Sequence, residues 1–238
     1  MNVAIIIAGG VGNRMGQEIP KQFLNIFDKP VLVYTMEAFQ RHPLIDAIEI
    51  VCIEGWQAMV QAYANQFDIN KLIKIVPGGN SGQESIRNGV YALEDICKDD
   101  DIVVIHDGIR PIVDEAVLSD VIEKCKVYGN AVTSTPCNDQ MFIVSDEKST
   151  DKYIKRETIR KVTTPQAYKF ATLDSSYHKA FEKEIGIYGS SYTNTMMSDL
   201  GERLYFAKGS EKNIKLTTTD DLEIFKAILM SEKPEWIK

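Results

Sequence analysis

Glycines at positions 9, 10, 12 and 16 follow directly on the apolar run Ile5-Ile6-Ile7-Ala8, and two cations, Arg14 and Lys21, stand on the same connection. Glycine lets a backbone turn tightly and approach a ligand where a Cβ would obstruct it, so successive amides can face an anion. Cations beside such amides suit a polyphosphate whose charge must be held and, during reaction, stabilised. The chemistry expected is that of nucleotides. Neither GxxxxGK[ST] nor GxGxxG occurs in the loop, which argues against a P-loop ATPase and a dinucleotide-dependent dehydrogenase.

A second apolar run, Val103-Val104-Ile105, ends in His106-Asp107-Gly108-Ile109-Arg110-Pro111. Ligands of open α/β sheets collect beyond the carboxyl ends of the strands, so Asp107 is expected in the same crevice as the glycine loop. A carboxylate there is a natural ligand for Mg²⁺ shared with substrate phosphates. The alternative is an Asp that caps the next turn and pairs with Arg110. His106 is the histidine nearest the site, and it is expected to orient the strand end and not to carry protons; His42 precedes a proline and His178 lies among polar residues.

Further blocks complete the pattern. Pro20-Lys21-Gln22-Phe23-Leu24 follows the glycine loop, and Pro77-Gly78-Gly79-Asn80-Ser81-Gly82-Gln83-Glu84-Ser85-Ile86 reads as a loop entering a helix. Arg156 and Ile159 precede Thr163-Thr164-Pro165-Gln166-Ala167-Tyr168-Lys169-Phe170, and Asn213-Ile214-Lys215-Leu216-Thr217-Thr218-Thr219-Asp220-Asp221-Leu222 lies near the end. In this order the blocks resemble the signature of the polyol-phosphate cytidylyltransferases, enzymes that act on 2-C-methylerythritol 4-phosphate or ribitol 5-phosphate. The resemblance covers nearly the whole chain.

That resemblance implies CTP and a polyol phosphate as substrates, Mg²⁺ as cofactor, and a CDP-polyol and pyrophosphate as products. It implies that Arg14, Lys21 and Lys215 surround the reacting phosphates, and that Ala8, Gly9, Gly10, Gly12, Gly79, Asn80 and Ser85 bind the nucleotide. Asp107, Arg110, Arg156 and Thr164 fall on the acceptor side, with Asp107 also the metal ligand and Arg156 reaching in from a neighbouring subunit. Lys215 is expected on a short strand before Thr219, a candidate N-cap with Asp220 and Asp221 in the first helical turn. An attacking phosphate monoester is already largely dianionic near neutral pH, so no general base is required.

Two departures qualify the resemblance. Gly82 stands where the family usually carries arginine, and residues 193–198 read TNTMMS where the isoprenoid-pathway members carry TDEAS. The second replaces two carboxylates by neutral groups in or near the acceptor pocket, and favours a polyol other than methylerythritol phosphate. A related nucleotidyltransferase for another sugar or polyol phosphate is the alternative, and a nucleotide-binding module without turnover a more distant one.

The elements that position these residues follow from periodicity. Apolar runs at 3–8, 47–53, 73–76, 102–105 and 131–135 alternate with amphipathic segments at 31–40, 55–65, 85–92 and 114–128. This rhythm predicts an α/β, Rossmann-like nucleotidyltransferase fold, a mostly parallel sheet with right-handed crossovers and flanking helices, built as one domain over residues 1–238. Residues 138–161 are polar and strand-like around a turn-rich centre, which suits a β-hairpin protruding from the domain as the arm of a homodimer. A formal charge of −7 argues against a general nucleic-acid binder. The first apolar stretch is too short to span a bilayer and has no basic segment before it, so neither membrane nor signal peptide is expected. Cys52, Cys97, Cys125 and Cys137 form no CxxC pair and are read as reduced thiols of a cytoplasmic enzyme.

Overall fold

The computed structural model describes residues 1–10, 19–189 and 192–231, so Gly12, Arg14 and Gly16 of the glycine loop lie outside the described residues. Strand β1 (Asn2–Ala8) is followed by a 3-10 turn at Lys21–Phe23, the short hairpin β2 (Asn25–Ile26) and β3 (Lys29–Pro30), and helix α1 (Val31–Arg41). Strands and helices then alternate through β4 (Ala47–Cys52), α2 (Gln57–Gln66), β5 (Leu72–Pro77), α3 (Gly82–Ala92), β6 (Ile102–Asp107), α4 (Glu115–Tyr128) and β7 (Asn130–Pro136). The hairpin β8 (Met141–Ile143) and β9 (Lys152–Ile154) precedes β10 (Arg160–Lys169), α5 (Phe170–Lys183), α6 (Thr193–Asp199), β11 (Phe206–Lys208) and α7 (Thr219–Met230).

Seven strands form the central sheet in the order β11-β7-β10-β6-β1-β4-β5. The pairs β1·β4, β1·β6, β4·β5 and β7·β11 are parallel, as the alternation of apolar runs and amphipathic helices requires. Successive residues of β1 enter opposite layers, because side chains alternate across a strand. Ala4, Ile6 and Ala8 pack with Leu32, Phe39, Val60 and Ile122 from α1, α2 and α4, whereas Val3 and Ile5 pack with Val90, Leu173, Tyr177 and Met196 from α3, α5 and α6.

The sheet is mostly parallel, as expected; its antiparallel member is β10, a strand the periodicity did not mark, which lies between β6 and β7 and runs antiparallel to both. The chain leaves the sheet at Pro136, forms the hairpin, and returns beside the strand it left, with Arg160 opposite Pro136. Pro165 argues against a central strand in the sequence, because it has no N–H for the ladder. The structure accommodates it in an irregularity of register between Val162 and Gln166. The expected hairpin is present as an exposed two-stranded ribbon, with Phe142 opposite Tyr153.

Local signals shift several expected boundaries. Helix α3 begins three residues earlier than its apolar period suggests, because the Ser81 side chain accepts the Glu84 N–H and caps it. Thr218, not Thr219, caps α7, in a reciprocal pair with Asp221 that satisfies two backbone donors. Lys215 lies in irregular chain, not on a strand; the following residue, Leu216, donates its N–H to the Ile109 carbonyl at 2.9 Å. Among the described residues, no helix is long and apolar enough to cross a membrane.

Candidate active site

Strands β1, β4, β5 and β6 point their carboxyl ends to one edge of the sheet, and the loops that follow line a cleft of about 780 Å³. Ala8, Gly9, Gly10, Lys21, Gly79, Asn80, Ser85, Asp107, Thr164 and Lys215 all border it. The cleft thus gathers residues scattered over two hundred positions. Arg110 lies behind Asp107, Arg156 lies at the root of the hairpin and donates Nη1 to the Asn138 carbonyl at 3.1 Å, and neither lines the cleft of its own chain. Gly12 and Arg14 fall outside the described residues.

On one side of the cleft, the loops after β1 and β5 meet at glycines. A Cβ on either Gly9 or Gly78 would stand 3.2 Å from Ser85 Oγ, so this close approach depends on both lacking one. Ser85 is buried, accepts the Gly79 N–H at 3.0 Å and donates to the Ser81 carbonyl at 2.9 Å. Its hydroxyl therefore fixes the loop from beneath. Glu84 Oε2 accepts the Asn80 N–H at 2.7 Å, which ties the same loop to the first turn of α3. Gln22, the glutamine of the PKQF block, is buried and donates Nε2 to the carbonyls of Ala8 at 2.8 Å and Gly10 at 3.0 Å. That clamp fixes the chain at Ala8 and Gly10, where the glycine loop begins. Phe23 anchors the clamp by stacking on Trp56 with ring centroids 4.3 Å apart.

Asp107 is the electrostatic centre of the other side. Arg110 Nε donates to its Oδ2 at 2.8 Å, and Lys215 Nζ lies 3.2 Å from the same carboxylate. Burial alone would raise the Asp107 carboxyl; Lys215 and Arg110 outweigh it and hold the group below the usual carboxylate range. The pairing with Arg110 proposed as an alternative reading of Asp107 is therefore real. It does not exhaust the group, because an ionised carboxylate has about four acceptor positions. One such oxygen donor suits a Mg²⁺ ion that arrives with substrate phosphates and keeps several waters, and it does not make a metal cage by itself. Among the described residues, the one group of three potential ligands close enough to share an ion is Glu94, Asp174 and His178, which is not part of this cleft.

His106 is fully buried, and burial pushes its imidazole down to about 4. A neutral ring whose Nε2 lies 3.0 Å from the Arg110 carbonyl carries its proton on Nε2 and donates it there. That bond braces the turn between His106 and Arg110. Thr164 Oγ1 accepts the Asp107 N–H at 3.2 Å, and Asn213 ties the same region together, donating Nδ2 to the Thr164 carbonyl at 2.6 Å while its own carbonyl accepts Arg110 Nη1 at 2.8 Å. The clamp by Gln22 and the tie through Asn213 are contacts at the cleft that sequence reasoning missed, although both residues stand inside the quoted blocks.

The altered segment at 193–198 is less a part of the cleft than expected. Met196 and Met197 point into the apolar layer beneath α6 and are fully buried, while Tyr192 and Thr193 are the neighbours that line the cleft.

The fold is shared with the crystal structure of 4-diphosphocytidyl-2C-methyl-D-erythritol synthase from Anaerococcus prevotii, with a TM-score of 0.82 over 96% of each chain at 23% sequence identity. The chain is 57% identical to a ribitol-5-phosphate cytidylyltransferase of Lacticaseibacillus paracasei over 98% of its own length and 100% of that protein's. It is 38% identical to a 2-C-methyl-D-erythritol 4-phosphate cytidylyltransferase of Clostridium acetobutylicum, over 96% of this chain and 97% of that one. With this fold and these relatives, the protein is a nucleotidyltransferase. It belongs to the family described as IspD, 2-C-methyl-D-erythritol 4-phosphate cytidylyltransferase, whose model matches residues 2–231.

Proposed function

We propose that the protein transfers CMP from CTP to D-ribitol 5-phosphate, releasing CDP-ribitol and pyrophosphate. The observation that carries the choice of acceptor is the end-to-end likeness to a relative named for ribitol 5-phosphate, which exceeds the likeness to relatives named for methylerythritol phosphate. The departure from TDEAS supports the same choice, since Asn194 and Thr195 supply no carboxylate beside the Tyr192 and Thr193 that border the cleft.

An oxygen of the acceptor's phosphate forms the new bond to the α-phosphorus of CTP. The bond from that phosphorus to the bridging oxygen of the β-phosphate breaks, and pyrophosphate leaves with the electron pair. No proton has to be removed, because the monoester's second pKa is about 6. The chain's contribution is position and charge. Gln22 and Ser85 hold the two glycine loops for the nucleotide, while Lys21 and Lys215 face the cleft where negative charge shifts toward the leaving group. Arg14 is assigned to the same task by its place in the loop. Asp107 keeps Lys215 directed into the cleft and is the residue that would hold Mg²⁺, which when bound neutralises charge on the nucleotide phosphates.

The working unit we infer is a homodimer in the cytoplasm. The hairpin exposes Met141, Phe142, Ile143, Val144 and Tyr153, a concentration of apolar surface that marks an interaction site. Arg156 at its root is then placed to reach a neighbouring subunit's acceptor site. Four free cysteines agree with a reducing compartment.

Pyrophosphate release with D-ribitol 5-phosphate, measured in turn with CTP, ATP, GTP and UTP and with or without EDTA, tests the reading. Turnover with CTP alone, abolished by chelation, is expected. Equal turnover with GTP or ATP would refute the cytidylyl assignment, and full activity in EDTA would refute the role of Mg²⁺.

A further inference from the structure

Lys215 has a long flexible stem and stands in irregular chain, yet its ammonium must meet the reacting phosphates in one place. Asp107 restrains it from one side, at 3.2 Å. A second restraint comes from Tyr192, whose ring centroid lies 5.4 Å from Lys215 Nζ, within the range of a cation–π contact. Tyr192 is 41% exposed and borders the cleft, so its ring contributes little to the core and is free to serve the site.

The backbone beneath that ring is held by a chain of buried polar groups. Gln83 donates Nε2 to the Tyr192 carbonyl at 3.1 Å and to the Gly186 carbonyl at 3.0 Å. Its Oε1 accepts the Tyr177 hydroxyl at 3.1 Å, and that hydroxyl in turn lies 2.8 Å from Thr193 Oγ1, which can donate to it. Gln83, Tyr177 and Thr193 are all buried, and each of these polar groups has its partner, so the chain is a rigid support and not a costly defect. Gln83 belongs to the first turn of α3, the turn that also carries Ser81, Glu84 and Ser85 and with them the nucleotide-side loop.

We propose that Tyr192 is a positioning residue for Lys215, set in place by Gln83, so that the first turn of α3 fixes both the nucleotide loop and the cation on the opposite side of the cleft. The inference rests on the transferase reading above. It assigns the effect to the face of the ring, not to the phenol oxygen. It also explains why an aromatic residue stands at the mouth of a cleft whose other tasks are polar.

The test compares wild type, Tyr192→Leu and Tyr192→Phe in pyrophosphate release from CTP, with D-ribitol 5-phosphate and 2-C-methyl-D-erythritol 4-phosphate supplied separately, and monitors thermal unfolding alongside. Tyr192→Leu is expected to lower kcat about 3- to 10-fold, the range of a partly exposed cation–π contact, with the KM for CTP and the melting temperature little changed. Tyr192→Phe is expected to recover most of the lost rate. A kcat for Tyr192→Leu equal to wild type, or a Tyr192→Phe enzyme as slow as the leucine variant, would overturn the inference while leaving the transferase reading intact. A wild-type enzyme silent with both acceptors would overturn that reading and the inference with it.

Discussion

Lys215 shows how much of a residue's role depends on what holds it. A lysine in irregular chain is ordinarily solvated; here its ammonium is directed by Asp107 toward a cleft lined by glycine loops. Removing one well-aimed cation from a phosphoryl-transfer site typically costs two to three powers of ten in rate. Lys215→Ala should therefore lower kcat about 100- to 1,000-fold in steady-state assays, and a variant within about threefold of wild type would show that the ammonium does not meet the transition state. Lys21 and Asp107 were legible from a cation beside a glycine loop and a carboxylate at a strand end, and Thr164 and Lys215 through the resemblance of their blocks to the family. Gln22 and Asn213 were not, since their work is to bind backbone carbonyls and amides, and nothing about a glutamine or asparagine in isolation says which carbonyl it will meet.

Elements built from regular periods were equally legible. Strands β1, β4, β5, β6 and β7 and helices α1 to α4 fall where their apolar spacing puts them, with ends adjusted by caps such as Ser81. Strand β10 was hidden because Thr163-Thr164-Pro165 breaks both the period and the ladder, and its pairing with β6 and β7 is set by the return of the hairpin and not by local pattern. The hairpin itself was visible as an interruption of the α/β rhythm. Replacing residues 140–153 by a short Gly-Ser turn should convert a dimer to a monomer in light scattering, and should lower activity if Arg156 serves the neighbouring subunit. A dimer that survives the deletion would place the interface elsewhere.

At the scale of the whole molecule, one sheet carries both the site and its stability, and Glu49 separates the two. Glu49 is fully buried in β4, and neither carboxylate oxygen has a hydrogen-bond partner among the described residues. Burial raises it from 4.5 to about 8, with Lys74 opposing. The folded protein thus keeps a proton that the unfolded chain releases above pH 4.5, so the stability present below that pH is lost as pH rises toward about 8. Glu49→Leu should be more stable than wild type at pH 8.5, by an amount on the order of a few kcal/mol, with the gap closing toward pH 5. Urea denaturation at the two pH values checks this, and a gap independent of pH would contradict it. For function, the decisive comparison is a single reaction containing CTP, Mg²⁺ and equal concentrations of D-ribitol 5-phosphate and 2-C-methyl-D-erythritol 4-phosphate, with the two CDP-polyols counted by mass spectrometry. Their initial ratio is the ratio of kcat/KM values, free of differences in enzyme preparation. CDP-ribitol is expected in excess by about tenfold or more, a preference of about 1.4 kcal/mol; an equal or greater yield of the methylerythritol product would contradict ribitol 5-phosphate as the acceptor.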